Sequence, residues 1–224
     1  MVVSSKLIDW AKRNRSNWLI YKCIKLVESI LGKWGGVKIT GKNYGHIRRN
    51  VRGKDNIIVI GDGAFLNNPV VGIKGNNNKI VFGKDVKIVG AKCSFMLEGD
   101  NIQIQIGDGT TFNHTCHFCI QEDNMSVIIG KDCMFANRII VRTSDSHGIY
   151  NLDGNERINL PKPVTIGNHV WIAPNTLILK GVTIGDGSII GSNSVVTKNI
   201  PDNCLAVGQP ARIVKENIRW TRER

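Results

Sequence analysis

Apolar and polar residues repeat with a period of six from Ile166 to Pro201. The successive hexads read IGNHVW, IAPNTL, ILKGVT, IGDGSI, IGSNSV and VTKNIP. Each begins with Ile or Val, and the fifth position holds mostly small or β-branched side chains. An α-helix repeats at about 3.6 residues and a flat strand at about 2.0, so neither produces this pattern. Short strands wound into a triangular coil, with one hexad on each face, do produce it.

The same pattern continues upstream with interruptions. Pairs of Ile-Gly or Phe-Gly recur at Ile60, Phe82, Ile106, Ile129, Ile166 and Ile184. These pairs are 22, 24, 23, 37 and 18 residues apart. The spacing of 18 is one coil of three hexads, and spacings of 22 to 24 indicate one coil with a few bulging residues. The spacing of 37 indicates two coils and an inserted loop at about 146–163, and loops on a rigid scaffold commonly carry function.

Both ends of the chain are predicted to be helical. Residues 1–56 read as a basic cap and lead-in, and residues 4–34 place Ile20, Ile24, Val27, Leu31 and Trp34 on one helical face. A stacked coil leaves apolar side chains and backbone groups exposed at its open end, so we expect this helix to cover it. Residues 57–211 are predicted to form the coil, and residues 212–224 a short C-terminal helix. The expected class is therefore all-β with helical ends.

Positive charge is concentrated at the N-terminus. The 224 residues carry a formal net charge of +12. Residues 1–54 hold 13 Lys or Arg against 2 Asp or Glu, which leaves +11 of that charge in this segment. Such a surface attracts an anionic polymer, an acidic membrane leaflet or nucleic acid, although a solvated helix face is the plainer interpretation. We expect an acidic polymer, with peripheral membrane contact as an alternative and without nucleic acid.

The cysteines and the hydropathy profile indicate a cytoplasmic protein. The six cysteines lack the spacing of a disulfide scaffold, and we expect free thiols that are buried in the coil. The segment HTCHFC at 114–119 is rich in metal-ligand residues, but its side chains should alternate between the two sides of a strand, so no metal is predicted. No apolar run of about 18 residues and no signal peptide is found, so the chain is expected in the cytoplasm or peripherally at its membrane.

Four segments resemble those of the hexapeptide acyltransferases, and more narrowly of the members that O-acetylate sugars. They are VWIA at 170–173, GVTIGD at 181–186, SVVTK at 194–198 and GQPAR at 208–212. With the basic N-terminus, the overall likeness extends to the capsular polysialic acid O-acetyltransferases. The resemblance implies a left-handed parallel β-helix, a homotrimer with its active site between subunits, and acetyl-CoA as the acyl donor.

His147 is the predicted general base. It lies in the segment TSDSH at 143–147, which occupies the position of the catalytic histidine of that family. Transfer of an acetyl group to a sugar requires removal of a proton from a hydroxyl near neutral pH, and an imidazole can accept it and pass it to the leaving thiolate. Asp145 is a candidate for orienting the ring, or for local backbone bonds. His169 is the competing histidine, and as a repeat residue it should face solvent.

Trp171 and a set of small and basic residues are the predicted acyl-donor site. Trp171 is unusual at the sixth position of a hexad; it fits a subunit contact, and by the resemblance it lies between His147 and the thioester arm of coenzyme A. The resemblance assigns the rest of the coenzyme A site to Ala173, Ser192, Thr197, Lys198, Arg212 and Lys215. Since Pro174 lacks an N–H group, the Ala173 N–H is the candidate donor to the oxyanion.

The expected acceptor is a hydroxyl of an acidic bacterial surface polysaccharide, preferably polysialic acid. The candidate acceptor-binding residues are His114, His117, Arg138 and Arg142. A neutral sugar, a sugar amine or an antibiotic remains an alternative acceptor. The alternative outside enzymes is a basic β-solenoid that binds nucleic acid or membrane, and this interpretation leaves His147 and Trp171 unexplained.

Overall fold

The computed structural model of the protein describes residues 36–42, 45–90 and 92–223. The helix predicted at 4–34 lies outside these residues. The described residues contain strands and no helix. The strands are β1 (Val37–Thr40), β2 (Arg48–Arg52), β3 (Asn56–Ile60), β4 (Phe65–Leu66), β5 (Val70–Lys74), β6 (Lys79–Phe82), β7 (Lys87–Ile88), β8 (Ser94–Glu98), β9 (Gln103–Ile106), β10 (Thr111–Gln121), β11 (Ser126–Ile129), β12 (Met134–Arg142), β13 (Val164–Ile166), β14 (Trp171–Ile172), β15 (Leu177–Ile178), β16 (Thr183–Ile184), β17 (Ile189–Ile190), β18 (Val195–Val196), β19 (Leu205–Gly208) and β20 (Ala211–Lys215).

These strands form the three faces of a left-handed parallel β-helix, as predicted. Face 1 consists of β1, β3, β6, β9, β11, β13 and β16. Face 2 consists of β4, β7, the first halves of β10 and β12, β14, β17 and β19, and face 3 of β2, β5, β8, the second halves of β10 and β12, β15 and β18. The long strands β10 and β12 turn from face 2 to face 3 at Thr115 and Arg138, which have φ values of 49° and 57°. We call the edges corner 1–2, corner 2–3 and corner 3–1 after the faces that they join.

The interior is filled by stacked aliphatic and aromatic side chains. Parallel in-register pairing places equivalent residues of successive coils directly above one another, as for Phe95 and Phe118. Their rings are stacked with centroids 4.9 Å apart, and Phe112 stacks on Phe135 at 4.7 Å. These side chains are fully buried, which makes them large contributors to the hydrophobic stabilisation of the coil.

Buried asparagines supply hydrogen-bond partners to backbone groups at corner 3–1 of the N-terminal coils. Asn78 is 1% exposed; it accepts from the Ile102 N–H at 2.7 Å and donates to the Gly99 carbonyl at 3.0 Å. Asn56, one coil below, accepts from the Asn78 N–H at 2.9 Å. A buried backbone group without a hydrogen-bond partner lowers the stability of the folded state. Because these asparagines supply the partners, the chain can turn sharply here without that loss.

The solenoid differs from its predicted limits at both ends. Its strands begin at Val37, within the segment predicted as a lead-in. The helix predicted at 212–224 is wrong, because β20 pairs antiparallel with β19 and the residues after it are irregular as far as 223. The last coil leaves unpaired backbone groups on one side of β19, and β20 supplies their partners.

None of the described residues lies in a helix of the length and apolarity that crossing a bilayer requires.

Candidate active site

The inserted loop projects from corner 3–1, between the end of β12 and the start of β13. Because Ile129 pairs directly with Ile166, the interval of 37 residues holds one coil and this insertion, and the expectation of two coils is wrong. Its two arms pair through an antiparallel bridge between Tyr150 and Arg157, and the Ile158 N–H donates to the Ile149 carbonyl at 2.9 Å. At its base, the Lys162 N–H donates to the Thr143 carbonyl at 2.9 Å. The loop is therefore a hairpin with its own hydrogen bonds.

His147 lies exposed on the first arm of this hairpin. Its backbone is fixed by Asn159 of the opposite arm. The Asn159 side-chain amide donates to the His147 carbonyl at 2.8 Å, and its oxygen accepts from the Ile149 N–H at 2.7 Å. The hydrogen bonds found among the described residues involve the backbone of His147 and leave its imidazole open to a substrate. Asn159 was not identified from sequence, because its role depends on a contact across the hairpin.

Asp145 holds the hairpin and not the imidazole of His147. Its carboxylate accepts hydrogen bonds from Lys180 Nζ and, at 2.9 Å, from Asn159 Nδ2. These hydrogen bonds lower the pKa of Asp145, and the bond from Lys180 has the larger effect. Lys180 also donates to the Asn159 carbonyl at 2.9 Å. Lys180 thus ties the first coil after the insertion to both arms of the hairpin.

Glu122 forms a second anchor, which the sequence did not reveal. It receives a bidentate ion pair from Arg157 of the hairpin and a hydrogen bond of 2.5 Å from Ser144 Oγ. The bond from Arg157 is the main reason that the pKa of Glu122 is lowered. The pair is mostly shielded from solvent, with 21% of the Arg157 side chain and 29% of the Glu122 side chain exposed.

Trp171 lies on a different side of the coil from His147. It opens β14 on face 2, directly after corner 1–2, where Met134 and Ile189 are its neighbours on adjacent coils. The whole of β13, on face 1, separates it from the end of the hairpin. One chain therefore does not bring His147 and Trp171 together.

The other predicted donor-site residues fall into three groups. Ala173 and Ser192 lie at corner 2–3 on successive coils. Thr197 and Lys198 lie at corner 3–1, where Lys198 occupies the position of Lys180 one coil further on. Arg212 and Lys215 lie exposed on β20 at the end of the solenoid.

The Ala173 N–H, the candidate oxyanion donor suggested by the sequence, already has a hydrogen-bond partner within the coil. It donates to the Ile190 carbonyl at 2.9 Å as part of the hydrogen bonding between coils. This bond is a consequence of the regular parallel stacking, which uses the backbone donors of each face.

The predicted acceptor residues lie on face 3 and at corner 2–3. His114 and Arg138 are exposed at corner 2–3 on adjacent coils. His117 lies on face 3, with its Nδ1 atom 2.6 Å from Ser94 Oγ. Arg142, one coil beyond Cys119 on the same face, donates to Ser146 Oγ at 2.9 Å and so reaches the His147 hairpin.

His169 is not open to a substrate. Its Nδ1 atom lies 2.7 Å from Asp132 Oδ2, and its Nε2 atom lies 3.1 Å from the Trp220 carbonyl oxygen. The indole of Trp220 also covers one face of the ring. The side chain keeps 39% of its surface exposed, so it faces solvent in part as expected, but the C-terminal residues pack against it.

The described cysteines carry free thiols, most of them buried. Four of the described cysteines, Cys93, Cys116, Cys133 and Cys204, are buried and free, and Cys119 is half-buried and free. Burial raises the pKa of Cys133 to about 11, which keeps its thiol protonated and unreactive. Among the residues that the structure describes, no three His, Cys, Asp or Glu side chains are grouped as a metal site requires.

Comparison with known proteins identifies the class. Residues 163–198 match the family described as bacterial transferase hexapeptide (six repeats). The polysialic acid O-acetyltransferase of Neisseria meningitidis is 40% identical over 174 residues, which are 77% of this chain and 79% of that protein. The polysialic acid O-acetyltransferase of Escherichia coli O1:K1 / APEC is 38% identical over 120 residues, and the match spans only 38% of that protein.

A solved structure extends the likeness to the whole solenoid. The crystal structure of the polysialic acid O-acetyltransferase OatWY has a TM-score of 0.74 at 35% identity, and covers 85% of this chain and 89% of that chain. The hexad repeat, the three-faced parallel coil and the identity over most of the chain agree with one another. The chain therefore belongs to the hexapeptide-repeat, left-handed β-helix O-acetyltransferases, the family that includes the polysialic acid O-acetyltransferases.

Proposed function

We propose that the protein is a homotrimeric, acetyl-CoA-dependent O-acetyltransferase that acts on hydroxyl groups of an acidic surface polysaccharide, with polysialic acid as the preferred acceptor and His147 as the general base. The observation that carries the proposal is the exposed imidazole of His147 on a hairpin whose backbone is held by Asn159. Such an arrangement leaves the ring accessible and its position defined, as a catalytic base requires.

His147 is assigned two proton transfers, first from the attacking hydroxyl and then to the leaving thiolate. Acetyl-CoA supplies an activated acetyl group as a thioester. His147 accepts the proton of the attacking hydroxyl as the new C–O bond forms, and returns it to the departing sulfur as the C–S bond breaks. The histidine ends the cycle in its starting state, so neither a metal nor an acyl-enzyme is needed.

The separation of His147 and Trp171 supports a site between subunits. Within one chain they lie at opposite ends of face 1. A closed three-fold assembly places corner 3–1 of one subunit beside a different corner of the next, and so can combine the two side chains. The hairpin also presents large apolar side chains to solvent, among them Ile149, Leu152 and Leu160, as expected of residues that are covered in an assembly.

Two features support an acidic acceptor. The relatives described above are polysialic acid O-acetyltransferases. Face 3, which leads to the hairpin, carries the exposed cations Arg48 and Arg52 on its first strand, with Arg142 near His147. Since attraction between exposed charges is screened by salt, acetylation of an acidic polymer should decline as ionic strength rises.

The test combines a product assay with one substitution. Polysialic acid and a panel of neutral sugars, sugar amines and antibiotics are incubated with the protein and acetyl-CoA, and the products are analysed by mass spectrometry. We expect O-acetylated polysialic acid. His147→Ala should lower kcat by ~10²–10⁴-fold, because the hydroxyl loses its base, while coenzyme A binding measured by calorimetry persists.

The matched control is Asn151→Ala, an exposed position of the same hairpin. It should retain wild-type turnover. Near-normal turnover of His147→Ala would show that another group acts as the base. Exclusive modification of an uncharged acceptor would overturn the assignment of the polysaccharide.

A further inference from the structure

The chain continues past β20 as a strap that we define as residues 216–223. It crosses successive coils along corner 1–2. The Ile218 N–H donates to the Asn203 carbonyl at 3.0 Å, Trp220 packs on His169, and Arg222 reaches Asp132. Asn203, His169 and Asp132 are corner residues with positive φ values on different coils. The strap therefore lies along corner 1–2, directly beside Trp171 at the start of β14.

Trp220 is the most buried residue of the strap, at 8% exposure. Its ring stacks on that of His169 with a centroid distance of 4.0 Å and an interplanar angle of 7°. Its Nε1–H donates to the His169 carbonyl at 2.8 Å. Stacking and hydrogen bonding together fix both the plane and the rotation of the indole.

Arg222 secures the strap two residues further on. Its guanidinium donates to Asp132 Oδ1 at 2.9 Å, to Thr111 Oγ1 at 3.1 Å and to the Cys133 carbonyl at 3.1 Å. Asp132 also faces His169, so the same carboxylate links the strap to the ring on which Trp220 stacks. A guanidinium that bonds to several fixed acceptors is well suited to hold a chain end in one place.

The fixed Trp220 ring in turn contacts Trp171. The two indole centroids lie 6.0 Å apart at an angle of 48°, a tilted contact between aromatic rings. With the strap in place, Trp171 is half-buried on face 2. The strap thus covers one side of Trp171 and limits the orientations that its side chain can adopt.

We infer that Trp220 is a positioning residue for catalysis, which holds the Trp171 ring in the orientation that binds the pantetheine arm of the acyl donor. The inference rests on the proposed function, in which Trp171 lines the donor site. A side chain that is held before the donor arrives loses less conformational entropy on binding than one that must be ordered then. Trp220 acts through Trp171 and needs no contact with the reacting atoms.

The first test is Trp220→Ala with Trp220→Phe as the conservative variant. Trp220→Ala should raise both the KM for acetyl-CoA and the Kd for coenzyme A about three- to tenfold, the range expected from loss of one aromatic contact. The KM for the acceptor should stay unchanged. Trp220→Phe keeps an aromatic ring against Trp171 and His169, and it should restore most of the donor affinity.

Two further variants separate positioning from folding. Arg222→Ala keeps Trp220 but removes its anchor, and should shift the acetyl-CoA KM in the same direction by about two- to threefold. Arg219→Ala, an exposed position of the strap, should leave both KM values unchanged. If Trp220→Ala fails to fold, the comparison of Arg222→Ala with Arg219→Ala decides the question.

The outcomes are distinguishable from those of the proposed function. Absence of acetyl transfer by the wild-type protein would remove the proposed function itself. An active wild type, together with unchanged acetyl-CoA KM and coenzyme A affinity in Trp220→Ala and Arg222→Ala, would leave the strap a stabilising element alone and overturn the inference. A lower Tm with unchanged donor affinity would lead to the same conclusion.

Discussion

At the scale of single residues, His147 is positioned through its backbone while its ring remains free. The amide of Asn159 bonds to the His147 carbonyl and the Ile149 N–H, and Lys180 and Arg157 fasten the hairpin to neighbouring coils. This arrangement differs from a histidine whose ring is oriented by a carboxylate, as the sequence had suggested for Asp145. It leaves both ring nitrogens available for the proposed role as general base.

The Glu122–Arg157 anchor should make the stability of the hairpin depend on pH. The hydrogen bond from Arg157 lowers the pKa of Glu122 in the folded protein, so the ionised carboxylate stabilises the folded state. This stabilisation is complete above the ordinary glutamate pKa of about 4.3 and is lost as the pH falls through the lower folded value. Glu122→Gln should therefore lower the Tm at neutral pH, and the difference from wild type should vanish in acid.

The measurement is the Tm of both proteins from about pH 3 to pH 7, the range that spans the titration of carboxylates. Glu156→Gln, which alters an exposed carboxyl of the same hairpin, is the control and should show little difference at any pH. A Glu122→Gln effect of equal size across the whole range would contradict an electrostatic role.

At the scale of elements, the turns of the lower coils depend on buried amides as much as the faces depend on stacked aliphatic residues. The side chain of Asn78 provides hydrogen-bond partners for backbone groups that a sharp corner leaves unpaired, and the residue is hydrogen-bonded to the coils on both sides. The periodicity of the apolar residues predicts the faces, but a corner asparagine looks the same in sequence whether it is buried or exposed. Asn77, beside it, is exposed.

Substitution of Asn78 should therefore destabilise the coil. Asn78→Leu leaves the buried Ile102 N–H and Gly99 carbonyl without their partners, and should reduce the free energy of unfolding by about 2–4 kcal/mol. Urea denaturation followed by circular dichroism measures the change. Lys79→Ala, at the exposed neighbouring position, should cost no more than about 0.5 kcal/mol. Equal effects of the two substitutions would rule out the amide ladder as a source of stability.

At the scale of the whole molecule, the proposed active site combines two side chains that one chain keeps apart. His147 projects at corner 3–1 and Trp171 follows corner 1–2, with face 1 between them. The proposed trimer resolves this separation by joining two subunits at each site. The strap adds a further level, because a segment far along the chain from Trp171 fixes the surroundings of that ring.

Mixed trimers provide the test. His147→Ala and Trp171→Ala subunits should each be nearly inactive alone, yet a site that takes His147 from one subunit and Trp171 from another is intact. Refolding an equal mixture should recover roughly a quarter of wild-type activity, because three quarters of random trimers contain both chains and each of these has one intact site in three. Activity no greater than the sum of the two parents would place the whole site within one chain.

The sequence alone determined the architecture and the main candidate residues. A period of six admits few folds, so the three-faced coil, the inward aliphatic residues and the insertion before Val164 follow from local pattern, and a histidine in that insertion is conspicuous. The tertiary structure alone decided which side chains hold that histidine and what becomes of the C-terminal residues. Asn159, Glu122 and Trp220 act through partners 12, 35 and 51 residues away in the chain, and no local period records such contacts. Long-range contacts also explain why the C-terminal residues form β20 and the strap in place of the expected helix. Pairing with the edge of β19 and stacking on His169 stabilise these residues, whereas a short isolated helix is only marginally stable in water.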